Sequence, residues 1–161
     1  MGISGYSAIF TTHAGTQTAE PMLATYVDLN IKLSTLFQVS ARGTFGYNTY
    51  RAGFIKKNLF AANAQFGLGL LTKLKTLTFI HTLGLAYNFS VMNQEAVPHP
   101  ITNAVGFFYR LDFETKINEK ITTRFAIGSN LFGVYFSTVD NVSVYSLYYS
   151  PTVNAGISYA L

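Results

Sequence analysis

The sequence predicts an all-β fold: an eight-stranded antiparallel β-barrel that crosses a membrane. Three observations predict it. Apolar residues recur at every second position along most of the chain, the alternating segments are long, and the face opposite the apolar one carries the charges. Hydrophobic residues make up 49% of the 161 residues and charged residues only 11%, against about 25% charge in soluble domains.

The period decides the element type. In 37–48, Phe37, Val39, Ala41, Phe45 and Tyr47 are apolar, and Gln38, Ser40, Arg42, Thr44 and Asn48 fall between them. In 105–117, Val105, Phe107, Tyr109, Leu111, Phe113 and Ile117 share one parity, and Arg110, Asp112, Glu114 and Lys116 take the other. A helix would scatter these aromatics round all its sides, whereas a strand puts alternate residues on opposite faces. Eight such segments are expected, at 5–13, 22–29, 33–48, 60–71, 76–91, 104–117, 121–135 and 143–161. Most reach the 9–11 residues or so that a membrane-crossing strand needs.

The connectors alternate in length. Short turns are expected at 30–32, 72–75 and 118–120, and long loops at 14–21, 49–59, 92–103 and 136–142. Short turns at one end and long loops at the other is the layout of a transmembrane barrel, with both termini at the short-turn end. Parity agrees: across the four residues 72–75 the outward set switches from even (Phe60, Phe66, Leu68, Leu70) to odd (Leu77, Phe79, Leu83, Leu85). Pro151 cannot donate to a ladder, so a bulge is expected there, with 152–161 as the core of the last strand and 143–149 projecting above the membrane, its aromatics read first as an interfacial belt and second as a docking ridge.

No charge falls on an expected outward face, whereas Asp28, Arg42, Arg110, Asp112, Glu114, Lys116 and Arg124 all fall inward. A soluble barrel holding a greasy ligand would show the reverse. Glu114 and Arg124 are equidistant from Glu119 in the third short turn, so they are expected to face each other across a hairpin. The seven inward charges are expected to form a lumen network. It reads first as a polar plug, because eight strands leave an interior just filled by side chains, and second as an ion path or gate. His81 is expected on the outward face of the fifth strand, turned by a bulge, set near an interface or covered by a partner. Arg51, Lys56 and Lys57 make the second long loop basic, either as solvated charge or as a hold for anionic groups.

Other classes find little support. There is no cysteine, so no disulfide, thiolate metal site or catalytic thiol. The three histidines show no metal-ligand spacing, and no nucleophile elbow is present; a trio of Glu95, His99 and a serine can be imagined, but His99 between Pro98 and Pro100 reads as loop. The net charge of +4 is not gathered into an arm, which argues against nucleic acid. No run of 18 uncharged apolar residues exists, so no transmembrane helix is expected. The first residues do not read as a secretory leader. Residues 1–161 read as one domain.

The chain ends Asn154-Ala155-Gly156-Ile157-Ser158-Tyr159-Ala160-Leu161. This resembles the C-terminal β-signal of outer-membrane proteins. Asn154, Gly156, Tyr159 and Leu161 fill its fixed places, with Leu161 where that family usually ends in Phe or Trp. With the alternating segments before it, the whole chain resembles the small eight-stranded outer-membrane β-barrel proteins of the outer-membrane protein A transmembrane domain and outer-membrane protein X type. The resemblance implies a Gram-negative outer membrane, periplasmic termini and insertion by the barrel-assembly machinery, amid outer-membrane lipid and lipopolysaccharide. It implies no cofactor. The function expected is structural, envelope-anchoring or partner-docking, with a possible protein partner at the outer loops. The alternatives are a small porin-like pore for ions or apolar solutes and, third, a lipid A-modifying enzyme.

Overall fold

The computed structural model describes residues 1–11, 17–52, 55–94, 101–137, 143–144 and 148–159. Its strands are β1 (Gly2–Thr11), β2 (Gln17–Lys32), β3 (Phe37–Ala52), β4 (Ile55–Leu74), β5 (Leu77–Gln94), β6 (Ile101–Lys116), β7 (Ile121–Ser137), the two-residue β8 (Ser143–Val144) and β9 (Tyr148–Tyr159). Each long strand pairs antiparallel with the next along the chain, and β9 pairs with both β7 and β1. The ring therefore closes on eight long strands, and no long edge is left to pair elsewhere. β8 is a stub on the upper end of β7.

The turns come from local chemistry. Between β2 and β3, the Ser34 hydroxyl accepts from Leu36 N (3.1 Å) and Phe37 N (3.0 Å), and Leu33 N donates to Phe37 O at 2.9 Å. This turn occupies 33–36, not the expected 30–32: Ile31 and Lys32 continue the alternation of β2 and pair with Val39 and Gln38. Between β4 and β5, Leu74 pairs with Leu77, and Lys75 turns the chain at φ 51°. Between β6 and β7, the Asn118 side chain accepts from Lys120 N (2.9 Å) and Ile121 N (2.8 Å).

Two other expectations are corrected. The second long loop, 49–59, is a continuation of the sheet: pairing runs unbroken from Asn48↔Leu59 to Ala52↔Ile55. Its sequence reads as loop because the apolar alternation that marks a strand is lost there. Nor is there a bulge at Pro151. The β7 ladder runs through Ser129↔Pro151 in constant register. Pairing with β1 stops at Tyr6↔Thr152, so Pro151 has a ladder on one side only, where a missing donor is tolerated. The register shift lies between β6 and β7: Val105 pairs with Val134 but Gly106 with Phe132, leaving Gly133 as the extra residue of a bulge.

The two faces of the wall separate by polarity. Leu23, Val27, Phe45, Tyr47, Phe66, Leu68, Leu83, Leu85, Phe107, Val153 and Ile157 stand exposed on the outside. Phe37 and Tyr47, both more than half exposed, mark the ends of this belt on β3. At about 3.4 Å per residue and a tilt of about 40°, the strand rises roughly 26 Å between them, against about 25 Å for a lipid-facing band. Aromatic contacts gird its rims, with Phe79–Phe113 (ring centroids 5.4 Å apart) and Phe113–Phe125 (6.2 Å) towards the short turns and Phe60–Phe89 (6.4 Å) towards the other end. Ser40, Arg42, Thr44, Asn63, Gln65, Arg110, Asp112, Arg124, Asn130 and Asn154 are buried in the lumen. The fold is an apolar sleeve round a polar core.

Candidate functional site: the filled lumen

Period two on eight strands sends charged side chains from four walls to one level. On β6, counted from the short-turn end, the inward residues are Glu114, Asp112, Arg110, Phe108, Gly106 and Ala104. The first three meet Asp28 of β2, Arg42 of β3 and Arg124 of β7. Arg42 grips Asp28 with two bonds, Nε to Oδ1 at 2.5 Å and Nη2 to Oδ2 at 2.7 Å. Arg124 donates to Asp28 Oδ2 (2.7 Å) from Nη1 and to Glu114 Oε1 from both Nε (2.8 Å) and Nη2. Glu114 and Arg124 are direct cross-strand partners. Arg110 donates to Asp112 Oδ2 (2.8 Å), Gln65 Oε1 (3.0 Å) and Ser40 Oγ (2.9 Å). Asp112 Oδ1 lies 3.5 Å from Arg42 Nη2 and 3.8 Å from Arg124 Nε.

This ionic tier holds three carboxylates and three guanidinium groups, so its formal charge is zero. That balance makes burial tolerable, since an isolated ion would cost several kcal/mol. Planar guanidinium forks also suit the task, because one fork spans two carboxylate oxygens. The Arg42 guanidinium carbon further stands 4.2 Å from the centroid of the Tyr26 ring. Asn30, with its amide turned to fit its neighbours, accepts from Arg124 Nη1 (3.0 Å) and Nη2 (3.2 Å) and donates to Ser40 Oγ (2.8 Å).

Six of the seven expected lumen charges thus come together. Lys116 does not: it is exposed at the end of β6, outside the ion pairs of the described residues. Inward parity at the last residue of a strand points to the rim rather than the interior.

Sequence reasoning passed over two further tiers. Above the charges lies an amide tier, where Gln65 Nε2 donates to Asn130 Oδ1 at 2.7 Å, with Asn63 and Asn154 buried nearby. Above that, Phe108, Phe132, Ala86 and Ala104 form a buried apolar cluster. Glycines make room for it: a Cβ on Gly67 would come within 2.9 Å of Phe108 Cζ, and one on Gly84 within 2.8 Å of its Cε1. The signals were present in the sequence. The amides share the inward parity, and Phe108 and Phe132 break the alternation by putting an aromatic ring on the polar side.

Two spaces are lined by described residues. Among the described cavities, one of about 10 Å³ sits in the amide tier. The other is a recess of about 490 Å³ at the short-turn end, with Asp28, Lys32, Glu114 and Arg124 in its lining. It reaches the ionic tier.

On the outer wall, His81 sits in regular register between Leu70 and Leu111, so no bulge turns it. Its Nδ1 lies 2.8 Å from the Tyr109 hydroxyl, which gives this exposed imidazole a polar partner on the apolar surface. At the C-terminus Asn154 points inward and Tyr159 outward, Gly156 packs against Tyr26, and Leu161 lies outside the described residues. His13, Glu95 and His99 also lie outside them.

No protein-family model matches the chain, and no curated protein matches it. Solved structures do. Neisserial surface protein A (NspA) is similar over 99% of this chain and 94% of its own, with 10% identity and a TM-score of 0.67. Ail, the attachment invasion locus protein of Yersinia pestis, is similar over 98% of this chain and 95% of its own, with 10% identity and a TM-score of 0.55. Ail in complex with the heparin analogue sucrose octasulfate gives 11% identity and a TM-score of 0.57 over the same shares. Closed ring, inverted polarity and these likenesses agree: the chain has the fold of the small eight-stranded outer-membrane β-barrel proteins.

Proposed function

We propose that this protein is an integral barrel of the bacterial outer membrane, without enzymatic activity, whose role is structural, envelope-anchoring or partner-docking. The carrying observation is the filled lumen, in which an ionic tier and an apolar tier lie in series with a one-water cavity between them. A barrel so filled acts through its surfaces. Residues 1–161 form one such domain with periplasmic termini, the long hairpins reach outward among lipopolysaccharide, and the 154–161 segment serves insertion by the barrel-assembly machinery.

The β3–β4 hairpin is the favoured docking element. Its register places Arg51 opposite Lys56 and Tyr50 opposite Lys57, and no acidic residue occurs in 37–74. Like charges directly opposite are unfavourable, so an anionic surface is the partner they fit. Ail, a barrel of the same fold, is known in complex with a sulfated heparin analogue. Replacing Arg51, Lys56 and Lys57 together with glutamine is expected to lower retention on a sulfated polysaccharide matrix, and unchanged retention would remove this hairpin as the site.

The plug is tested in a planar bilayer. The refolded protein and its Glu114→Ala variant are both expected to be silent, because the apolar tier stays shut when the ionic tier is cut. Discrete single-channel steps from the wild type would overturn the plug and put the pore first.

A further inference from the structure

The cavity of about 10 Å³ in the amide tier is lined by Arg42, Thr44, Asn63, Gln65, Asn130, Thr152 and Asn154. Asn63 is 4% exposed and Asn154 2% exposed, and in both the amide Nδ2 has no hydrogen-bond partner among the described residues. Gln65 Nε2 already donates to Asn130 Oδ1, and Gln65 Oε1 already accepts from Arg110 Nη1. Two residues that line one space therefore each carry a buried donor with no receiver among the described residues. Each buried group left so costs about 1–3 kcal/mol.

We propose that this cavity is a hydration site for a single water molecule, which ties Asn63 of β4 to Asn154 of β9. Size and chemistry select water. About 10 Å³ of such space is the room one water needs. A water accepts two hydrogen bonds, here from the two amides, and donates two, here to the Thr44 and Thr152 hydroxyls. Water also serves either amide orientation, since it can donate to an oxygen as well as accept from a nitrogen; an anion could do only the latter.

The placement gives this water a structural task. In the ring order β1 to β7 and then β9, β4 and β9 are four steps apart in both directions, so they stand opposite each other. The ionic tier braces other strands, with Arg124 of β7 reaching Asp28 of β2 and Arg42 of β3 near Asp112 of β6. The water adds the brace that ties the closing strand to the far wall. Asn154 thus serves the folded barrel as well as the terminal segment in which it lies.

The test is magnetisation transfer from water to asparagine side-chain amides in the full chain, isotope-labelled and refolded in micelles. Direct cross-relaxation peaks to one long-lived water are expected at both Asn63 and Asn154. Asn154→Leu, which fills the cavity, is expected to abolish the Asn63 peak. If Asn154→Leu does not fold, Asn63→Leu gives the reciprocal readout on Asn154. No peak at either amide in the wild type overturns the site. A peak at one amide that survives replacement of the other shows that the water is not shared, and overturns the brace.

Discussion

Replacing Arg124 by alanine strikes the ionic tier at its most connected member. Its side chain is 5% exposed and donates to Glu114 and Asp28, with Asp112 3.8 Å away. Its loss leaves three carboxylates facing two guanidinium groups. Asp28 keeps its fork from Arg42, and Asp112 keeps Arg110. Glu114 keeps no cation. Stranding one member of a buried pair costs about 3–5 kcal/mol. Glu114 is 16% exposed and faces the recess, so water partly restores its solvation and about 3 kcal/mol is expected. Glu114→Ala is the milder change, because Arg124 retains Asp28 at 2.7 Å; the two bonds lost converge on the single oxygen Glu114 Oε1, a charge-assisted contact of this kind costs about 1.5–3 kcal/mol, and partial exposure places this one near the lower figure. The difference, about 1.5 kcal/mol, is roughly tenfold in the unfolding constant. Urea unfolding in lipid vesicles, followed by far-ultraviolet circular dichroism, measures both, and the double variant gives the coupling. Equal costs for the two single variants, or a cost below about 0.5 kcal/mol for Arg124→Ala, the ordinary scatter of surface changes, would refute the tier as described.

The remaining predictions probe the wall and its packing. Gly84→Ala puts a methyl group within 2.8 Å of the Phe108 ring and 2.4 Å of Gly67 Cα, both in space the fold does not have, and is expected to cost about 1–3 kcal/mol. Gly43→Ala is its control: the nearest atom, Phe45 Cε2, lies at 3.4 Å, so the same unfolding assay should show little change. Leu83, 63% exposed in the middle of β5, tests the lipid-facing belt. Arginine there is expected to cost about 2–4 kcal/mol in a bilayer, whereas arginine in place of Phe37 at the rim should cost about 0–1 kcal/mol; equal effects at the two depths would count against a membrane across this belt.

Most of the wall was legible because one physical rule writes it. A strand between lipid and lumen must alternate, so the parity of Phe66, Leu68 and Leu70 against Leu83 and Leu85 fixed faces and turn length together. The rule fails where its cause fails. The alternation is lost over Asn48, Thr49, Arg51 and Lys56, which read as loop although their backbone pairs. The 33–36 turn was misplaced because Asn30 and Lys32 are polar for different reasons, one facing the lumen and the other the rim. Within the lumen, charges drew attention and amides did not. Gln65 and Asn130 carry no formal charge, and their pairing joins residues 65 apart in sequence, a distance no local pattern reports. His81 was anomalous only as a single residue. Its partner, Tyr109, lies on the next strand, two residues from the directly opposed Leu111.

The order of the tiers bears on whether such a lumen can open. The recess reaches the ionic tier from the short-turn end, so water, ions and charge substitutions act there first. Cutting the Glu114–Arg124 bond from that side uncovers the amide tier and its small cavity, not a passage. Beyond it, Phe108 packs into space that Gly67 and Gly84 provide, with Phe132 buried in the same cluster. A ring held against a backbone without Cβ atoms cannot swing aside without leaving a void of its own size, and that penalty does not depend on salt or on any carboxylate's charge. The two seals therefore answer to different perturbations, and one that weakens the first leaves the second in place. A pore in this barrel requires both to yield at once, whereas docking at the hairpin ends requires neither. That asymmetry is the physical reason for proposing a role on the outside of the sleeve.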